Sequence, residues 1–243
     1  MSFATVQVRS QALGRHVQYT AILPDPDRHG NGPYPVLYQL HGRSDDHTAW
    51  LVHSRLADHV RPLPLLVVMP DGGISGWRNA GVHERYEDFI IQDLMEHVAG
   101  TFHVRPGRAA IGGLSMGGGG AMRLGLRHPD LFGSIWSHSS SLLTAAELEA
   151  QGVAATDAVT DSVYTLAERL ATQPRASLPR IAFDCGVDDR MVEQSRSFHS
   201  HLEALGLAHT YREHPGAHTW DYWDRHVVEA LVQHAEVLGL KRA

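Results

Sequence analysis

A single serine, Ser115, stands among six glycines between residues 110 and 120, in the stretch Ala110-Ile-Gly-Gly-Leu-Ser-Met-Gly-Gly-Gly-Gly120. Within it, Gly113-Leu-Ser-Met-Gly117 matches the pattern Gly-x-Ser-x-Gly. A hydroxyl on so tight a turn projects from the backbone, and small neighbours on both sides avoid collisions with the chain. The pattern therefore indicates a serine held in position for nucleophilic attack, at the start of a helix whose amide groups face the developing oxyanion.

Two other interpretations of this stretch are a glycine-rich turn that only packs a helix against a strand, and a phosphate cradle. The cradle is disfavoured, because the spacing is neither Gly-x-x-x-x-Gly-Lys-Ser/Thr nor that of a dinucleotide-binding turn. The serine follows the apolar run Ala110-Ile111 and precedes a helical pattern, which is the position of a nucleophile elbow.

A nucleophilic serine needs an acid and a base, and in this type of fold they follow it along the chain in the order Ser, Asp/Glu, His. The acid is expected just after a strand at 181–185, where Asp184, Asp188 and Asp189 all stand. Asp184 belongs to the strand itself. Asp188 and Asp189 lie on the following turn, where one could cap the next helix while the other orients the base.

The base is expected on the loop after the last strand, His214-Pro-Gly-Ala-His218. His218 is favoured over His214, because it lies just before the final helix. The loop Leu40-His-Gly-Arg-Ser44 is expected to supply a second oxyanion amide, with Gly42 allowing the backbone to approach the substrate carbonyl. An ordinary strand-to-helix turn is the alternative for this loop. The first amide is that of Met116, directly after the nucleophile.

The elements needed to position these residues are visible along the whole chain. Strands are predicted at 4–9, 17–23, 36–40, 65–69, 109–113, 133–136, 181–185 and 210–213, and helices at 50–60, 86–98, 116–127, 191–205 and 220–238. Their alternation predicts a twisted, mostly parallel α/β sheet flanked by helices, in a single domain over residues 1–243. Residues 142–177 interrupt the alternation and are interpreted as a small helical, lid-like insertion.

Composition narrows the class of function. With 43% hydrophobic residues the chain can bury a core, and a net charge of −6 disfavours nucleic acid or an anionic membrane surface as a partner. The only cysteine, Cys185, excludes an internal disulfide and is interpreted as a buried apolar residue rather than a nucleophile. No signal peptide is visible, so a cytoplasmic location is expected. No metal or organic cofactor is expected, since the histidines lack zinc-ligand spacing.

Taken together, these motifs resemble the "Putative esterase" family of the α/β-hydrolase superfamily, which contains esterase D, feruloyl and acetylxylan esterases and the mycolyltransferases. The resemblance covers almost the whole chain and rests on seven stretches: Leu40-His-Gly42 with Trp50, Met69-Pro-Asp-Gly-Gly73, Tyr86-Glu-Asp-Phe89, Gly113-Leu-Ser-Met-Gly-Gly118, His128-Pro-Asp-Leu-Phe132, Asp184-Cys-Gly-x-x-Asp189, and His214-Pro-Gly-x-His218 with Trp223. It implies that Ser115 is the nucleophile, Asp189 the acid and His218 the base, with the backbone N–H groups of Arg43 and Met116 as the oxyanion hole.

The activity that the resemblance implies is hydrolysis of short-chain acyl, carbohydrate or cinnamoyl esters. A thioesterase of the S-formylglutathione hydrolase type is the alternative, although the chain has Leu-His-Gly where that subgroup shows a Ser-Gly-Leu-Thr-Cys type of stretch. A binding module without catalysis is the third possibility. In the loop at 72–79, Trp77 is expected either to stack on the substrate or to pack the loop against the core, and Arg78 to meet a carboxylate. No oligomeric state is predicted.

Overall fold

The strands of the computed structural model, which describes residues 1–240, form one sheet of eight. They are β1 (Ser2–Ser10), β2 (Arg15–Leu23), β3 (Val36–Leu40), β4 (Leu66–Pro70), β5 (Ala109–Leu114), β6 (Phe132–His138), β7 (Arg180–Gly186) and β8 (His209–His214). Their order is β1-β2-β4-β3-β5-β6-β7-β8. The pairs β1–β2 and β2–β4 are antiparallel and all the others are parallel, so the predicted mostly parallel sheet is confirmed.

Helices cover both faces of this sheet. They are α1 (Pro26–His29), α2 (Ala49–Val52), α3 (Leu56–Val60), α4 (Tyr86–Asp88), α5 (Met95–Thr101), α6 (Met116–Arg127), α7 (Ala145–Ala150), α8 (Ala155–Asp161), α9 (Val163–Ala171), α10 (Val192–Ala204) and α11 (Trp220–Val237). One core joins the sheet to α6, α9 and α10, and a second joins its other face to α2, α3 and α11. None of the helices within residues 1–240 has the length and hydropathy needed to cross a membrane.

The central strands are mostly apolar because both of their faces are covered. In β3, for example, Leu37 belongs to one core while Val36 and Tyr38 belong to the other. Every residue of β3, β4, β5 and β6 is buried. Continuous burial explains why these strands are recognisable as short apolar runs rather than as alternating patterns.

The helix predicted at 86–98 forms with an irregularity. A π-helical segment, Phe89–Leu94, connects α4 to α5. Phe89, Ile90 and Leu94 are buried in this segment, so the apolar side chains that suggested an ordinary amphipathic helix do face the core. Insertions of this kind are rare and often lie beside functional sites.

A buried ionic cluster lies where α4 meets the end of α6. Glu87 pairs with Arg123, with Arg127 at 3.0 Å and with His128 at 2.8 Å, and Asp161 pairs with Arg127 at 2.5 Å. Burial by itself would raise the pKa of Glu87, but hydrogen bonds from His128 and Arg123 and the charges of Arg123 and Arg127 hold that pKa well below its usual value. The cluster therefore links α4, α6 and α8 through opposite charges that stabilise one another.

The segment 142–177 divides into two parts with different packing. The helices α7 and α8 enclose a small apolar cluster of their own, which contains Leu143, Leu148 and Ala158. By contrast, α9 buries Val163 and Leu166 in the main core and is the crossover helix that the parallel pair β6–β7 requires. Within the predicted insertion 142–177, α9 thus packs as part of the main core, and a lid-like role for the rest of the insertion stays a prediction.

Candidate active site

The turn between β5 and α6 holds Ser115 in a left-handed backbone conformation, with φ 51° and ψ −117°. Such a conformation is strained for any residue other than glycine. The glycines on either side make it sterically possible. A Cβ on Gly113 would lie 2.6 Å from the backbone of Gly117, and a Cβ on Gly117 would lie 2.4 Å from the carbonyl oxygen of His41. Gly113 and Gly117 are thus needed for the close approach of one backbone segment to another.

A chain of hydrogen bonds connects Ser115 to His218 and Asp189. The Oγ of Ser115 lies 3.0 Å from Nε2 of His218, and Nδ1 of His218 lies 2.9 and 3.1 Å from the two carboxylate oxygens of Asp189. When Nδ1 donates its proton to the carboxylate, the lone pair of Nε2 is free to accept the proton of the serine hydroxyl. The structure therefore brings together the three residues that the sequence singled out as nucleophile, base and acid.

Asp189 is buried, with 3% of its surface exposed, on the turn after β7. Burial alone would raise its pKa, but the hydrogen bonds from His218 and from the backbone N–H of Met191, 2.9 Å away, hold the pKa below its usual value. The carboxylate is consequently ionised at neutral pH and can orient the imidazole and stabilise its protonated form.

The other two aspartates of this region have different surroundings. Asp184 lies within β7 and is fully buried, where it accepts hydrogen bonds from Trp136 Nε1 at 2.6 Å and Tyr222 OH at 2.8 Å and pairs with His138 at 2.7 Å. The side chain of Asp188 is exposed to solvent. Of the three candidates, only Asp189 is hydrogen-bonded to the imidazole of His218 within the described part of the chain.

His214 lies at the end of β8 in a separate cluster with His226 and Glu229. Nε2 of His214 is 3.2 Å and Nδ1 of His226 is 3.1 Å from Oε1 of Glu229, so three potential metal ligands meet here. The two imidazole rings are stacked, with centroids 4.0 Å apart and an interplanar angle of 14°. Nitrogen lone pairs of stacked rings point in nearly parallel directions rather than toward one ion, and Arg212 already pairs with Glu229. This donor set fits a metal poorly.

Cys185 is fully buried in β7. Burial, together with the negative charge of Asp189, raises the pKa of its thiol to about 12. The thiol is therefore protonated at neutral pH and unsuited to nucleophilic attack.

The loop after β3 lies directly beside the nucleophile. A Cβ on Gly42 would lie 2.7 Å from Leu114 Cδ1 and 3.6 Å from Ser115 Cβ, so the chain could not pass so closely with a larger residue. Arg43 and Met116 line the same cavity as Ser115. The loop and the start of α6 thus place two backbone segments at the nucleophile, as an oxyanion hole requires.

His41 holds this loop in place, a role that its presence in the Leu-His-Gly motif did not reveal. It is buried, and its Nε2 accepts the backbone N–H of Gly72 at 2.8 Å. Its Nδ1 lies 2.7 Å from the carbonyl oxygen of Gly42, to which it can then donate. The signal available from the sequence was a histidine at the end of a mostly apolar strand, where a buried polar ring needs specific partners.

A cavity of about 570 Å³ opens over Ser115. Besides Ser115 and Met116 it is lined by Arg43, Ile74, Ser75, Gly76, Arg78, Gly119, Gly120, Ser141, Leu143, Gln151, Val153, Arg190 and Met191. Of these, Leu143, Gln151 and Val153 come from the segment around α7. The cavity is therefore bounded by the edge of the sheet on one side and by the segment that follows β6 on the other.

Trp77 does not line this cavity. Its side chain is completely buried, packs edge-on against the ring of His41 at 5.1 Å, and occupies the space in which a Cβ on Gly72 or Gly120 would lie. The expectation that Trp77 stacks on the substrate is wrong, and the alternative, that it packs the loop against the core, is confirmed. Because Gly72 and Gly120 have no side chains, the space between them accommodates the indole ring.

Arg78 does line the cavity. Its Nε lies 3.4 Å from Oδ2 of Asp161, and 20% of its side chain is exposed. Burial, together with the positive charges of Arg123 and Arg127, lowers the pKa of its guanidinium to about 10. It remains protonated at neutral pH and provides a cation at the cavity wall.

Comparison with known proteins agrees with this geometry. Residues 10–234 match the model of the family described as "Putative esterase". The chain belongs to this family. The matched residues include most of the sheet and the hydrogen-bonded residues Ser115, His218 and Asp189. The protein is therefore an esterase of the serine hydrolase type, with the α/β-hydrolase fold.

Three proteins of low sequence identity align with nearly the full chain. An acetyl esterase of Caldicellulosiruptor saccharolyticus is 26% identical over 95% of this chain and 97% of its own. The structure resembles an S-formylglutathione hydrolase of Staphylococcus aureus, with a TM-score of 0.82, 22% identity, and coverage of 96% of this chain and 98% of the other. It also resembles a ferulic acid esterase, with a TM-score of 0.83, 23% identity and 98% coverage of both chains. The structural neighbours establish the fold.

Proposed function

We propose that the protein hydrolyses short-chain acyl, carbohydrate or cinnamoyl esters through an acyl-enzyme formed on Ser115. The observation that carries the proposal is the hydrogen-bonded chain from Ser115 to His218 to Asp189, with the serine on a strained turn at the mouth of a cavity. A hydroxyl is a poor nucleophile without an adjacent base, and this arrangement supplies one.

In the first step, Oγ of Ser115 bonds to the ester carbonyl carbon while Nε2 of His218 takes the hydroxyl proton. The carbonyl electrons move to oxygen, and the resulting oxyanion is stabilised by the backbone N–H groups of Arg43 and Met116. As the tetrahedral intermediate collapses, the bond to the alcohol oxygen breaks and His218 gives its proton to the departing alcohol. Asp189 keeps the imidazole in the required tautomer throughout.

In the second step, water attacks the acyl carbon of the acylated Ser115, and His218 takes a proton from that water. The bond to Oγ then breaks and Oγ recovers the proton from His218. The acid is released and the enzyme is regenerated without any cofactor. Loss of one oxyanion donor costs other hydrolases about 3–4 kcal/mol in the transition state, so both amides are needed for useful turnover.

The acyl group and the alcohol are inferred from weaker observations. The acetyl esterase relative supports a small acyl group, and the segment around α7 bounds the cavity and limits its length. We infer that this segment acts as a lid. The thioesterase alternative is supported by structural likeness to S-formylglutathione hydrolase, but the chain lacks the stretch typical of that subgroup.

The experiment is hydrolysis of p-nitrophenyl esters from acetate to decanoate, with S-formylglutathione as the thioester comparison. We expect the highest kcat/KM at acetate or butyrate. Ser115→Ala should lose at least about a thousandfold in kcat and keep its melting temperature. Ser197→Ala is the matched control, because Ser197 is exposed on α10, away from the cavity.

Normal turnover by Ser115→Ala would refute the nucleophile. A thioester preferred over every oxygen ester would replace the ester proposal with the thioesterase. Absence of turnover on all substrates, by protein that is folded, would favour a binding module.

A further inference from the structure

The cavity over Ser115 is lined by three arginines, Arg43, Arg78 and Arg190, and by no carboxylate among residues 1–240. The chain as a whole is acidic, with 27 aspartates and glutamates against 21 lysines and arginines. All the charged side chains of this lining are therefore cationic, which the overall acidic composition of the protein does not explain.

We propose that the cavity selects esters that carry a carboxylate, which these arginines bind while the ester carbonyl lies at Ser115. The inference rests on the proposed esterase function and specifies its substrate class. A planar guanidinium matches a carboxylate with two parallel hydrogen bonds, so arginine is well suited to this recognition.

The arginines reach the site from three loops at one edge of the sheet. Arg43 follows β3, Arg78 follows β4 and Arg190 follows β7. These three strands are parallel members of one sheet, and the loops at their carboxyl ends surround the position where ligands bind in open α/β folds. The positive charges therefore lie at the binding edge rather than being scattered over the surface.

The backbone around Arg78 fixes the position of its guanidinium. Gly76 and Trp77 both have positive φ, at 64° and 60°, which gives the loop a sharp bend. A Cβ on Gly76 would lie 3.0 Å from Nη1 of Arg78, so the glycine makes room for the guanidinium. The buried indole of Trp77 and the hydrogen bond from Arg123 to the Trp77 carbonyl hold the bend in place. A cation that is already positioned loses little entropy on binding.

The charge of Arg78 is not balanced by its neighbours. Asp161 lies 3.4 Å from Arg78 Nε, but it also pairs with Arg127 at 2.5 Å and lies 3.6 Å from Arg123. Glu87, the other carboxylate of the cluster, pairs with Arg123 and Arg127. Three guanidinium groups thus share two carboxylates, and Arg78 is the one that faces the cavity. Its Nε has no hydrogen-bond partner within the described residues, and a substrate carboxylate would compensate the surplus charge.

Arg43 and Arg190 supply further positive charge at the rim. Both side chains are exposed, and neither forms an ion pair within 4 Å with any residue between 1 and 240. Arg190 directly follows Asp189, and Arg43 follows Gly42, so both lie close to the reacting groups. Their long-range attraction draws an anionic ester toward the cavity and weakens as salt increases.

The carboxylate can lie on either side of the scissile ester, and two substrate pairs distinguish these cases. For the acyl side, we compare monomethyl glutarate with methyl 4-carbamoylbutanoate by release of methanol. For the alcohol side, we compare acetoxyacetate with 2-acetoxyacetamide by release of acetate. Each pair replaces a carboxylate by a neutral carboxamide of nearly the same shape, so the ratio of kcat/KM values reports on the charge.

We expect the carboxylate to be preferred in at least one pair, and the preference to fall about tenfold in Arg78→Met and severalfold in Arg190→Gln. Arg9→Gln is the matched control: Arg9 is exposed on the edge strand β1, and its loss changes the net charge equally. In 0.5 M NaCl the preference of the wild type should decrease, because surface charges are screened.

A ratio at or below one in both pairs would overturn the inference. So would a preference that both Arg78→Met and Arg190→Gln leave unaltered, and Arg190→Gln keeps this test valid if Arg78→Met does not fold. Hydrolysis of p-nitrophenyl acetate is measured in parallel. Absence of turnover both on this ester and on the four substrates of the two pairs refutes the esterase proposal itself, whereas turnover without any preference for carboxylates refutes only the inference about charge.

Discussion

Replacing Asp189 by asparagine changes one oxygen to an amide nitrogen and tests how the carboxylate works. In the wild type, Oδ1 of Asp189 accepts the backbone N–H of Met191 at 2.9 Å, while Oδ2 lies 2.9 Å from Nδ1 of His218. The asparagine oxygen must stay near the Met191 amide, since that donor is otherwise unsatisfied. The NH₂ group is then directed at Nδ1 of His218, which must become an acceptor.

An imidazole that accepts at Nδ1 carries its proton on Nε2. It can then no longer take the proton of Ser115, although the 3.0 Å distance between Nε2 and Oγ is retained. The equivalent exchange in other serine hydrolases costs about ten-thousandfold in kcat, or about 5.5 kcal/mol in the activation free energy. KM should change little, because Asp189 is not among the residues that line the cavity.

The assay is steady-state hydrolysis of p-nitrophenyl acetate at pH 7.5, with the melting temperature measured on the same samples. Asp188→Asn is the matched control, since Asp188 is the exposed neighbour on the same turn and should retain activity. If Asp189→Asn kept more than a tenth of the wild-type kcat, or if Asp188→Asn lost activity instead, the assigned triad would be refuted.

Three further predictions concern residues that support the site. Glu87→Gln leaves the guanidinium of Arg123, 1% exposed, without its main counter-charge and should lower the free energy of unfolding by about 3 kcal/mol at pH 7, or the Tm by roughly 6–12 °C. Because the pKa of Glu87 is depressed in the folded state, the difference in unfolding free energy between wild type and Glu87→Gln should shrink as pH falls below about 4.3. If urea unfolding gave the same difference at pH 7 and pH 3, the ion-pair account would be contradicted. Gly118→Ala places a Cβ 1.8 Å from the buried Ser140 Oγ, so either Ser140 or α6 must shift. We expect kcat to fall at least about tenfold even where circular dichroism shows a folded protein; an unchanged kcat would show that the site absorbs the extra methyl group without displacing Ser115. Trp77→Leu should lower the free energy of unfolding by about 3 kcal/mol, because the buried indole leaves a void. The ratio of acetate to butyrate hydrolysis should stay within about twofold of the wild type; a larger change would show that Trp77 contacts the substrate.

The elbow and the sheet were predictable because their constraints are local. The six glycines around Ser115 mark close contacts that a Cβ would block, with backbone at Gly113, Gly117 and Gly119 and with side chains at the other three, and they stand close together in the sequence. The buried strands are mostly apolar, which distinguishes them from surface segments without any knowledge of their partners.

Position along the chain alone could not distinguish the three aspartates; only the family resemblance favoured Asp189. Asp184, Asp188 and Asp189 lie within six residues. One is buried in a strand, one is exposed on a turn and one is hydrogen-bonded to His218, and these differences depend on partners distant in sequence. Trp77 poses the same difficulty, since the slot it fills is formed by Gly72 and Gly120.

The buried ionic cluster could not be predicted from the sequence. Arg123 lies on α6 in a position that periodicity assigns to the core, and its partners come from α4 and α8. The π-helical turn at Phe89–Leu94 also escaped detection, because a change of helical period over six residues leaves the apolar spacing almost unaltered.

The most direct test of the central claim is to locate the covalent bond. The enzyme is treated with diethyl p-nitrophenyl phosphate, p-nitrophenolate release is measured against enzyme concentration, and the modified peptide is sequenced by mass spectrometry. We predict one equivalent released per chain, complete loss of esterase activity, and phosphorylation at Ser115 alone, with no labelling of Ser115→Ala. Modification of another residue, or activity that survives complete labelling of Ser115, would contradict the account.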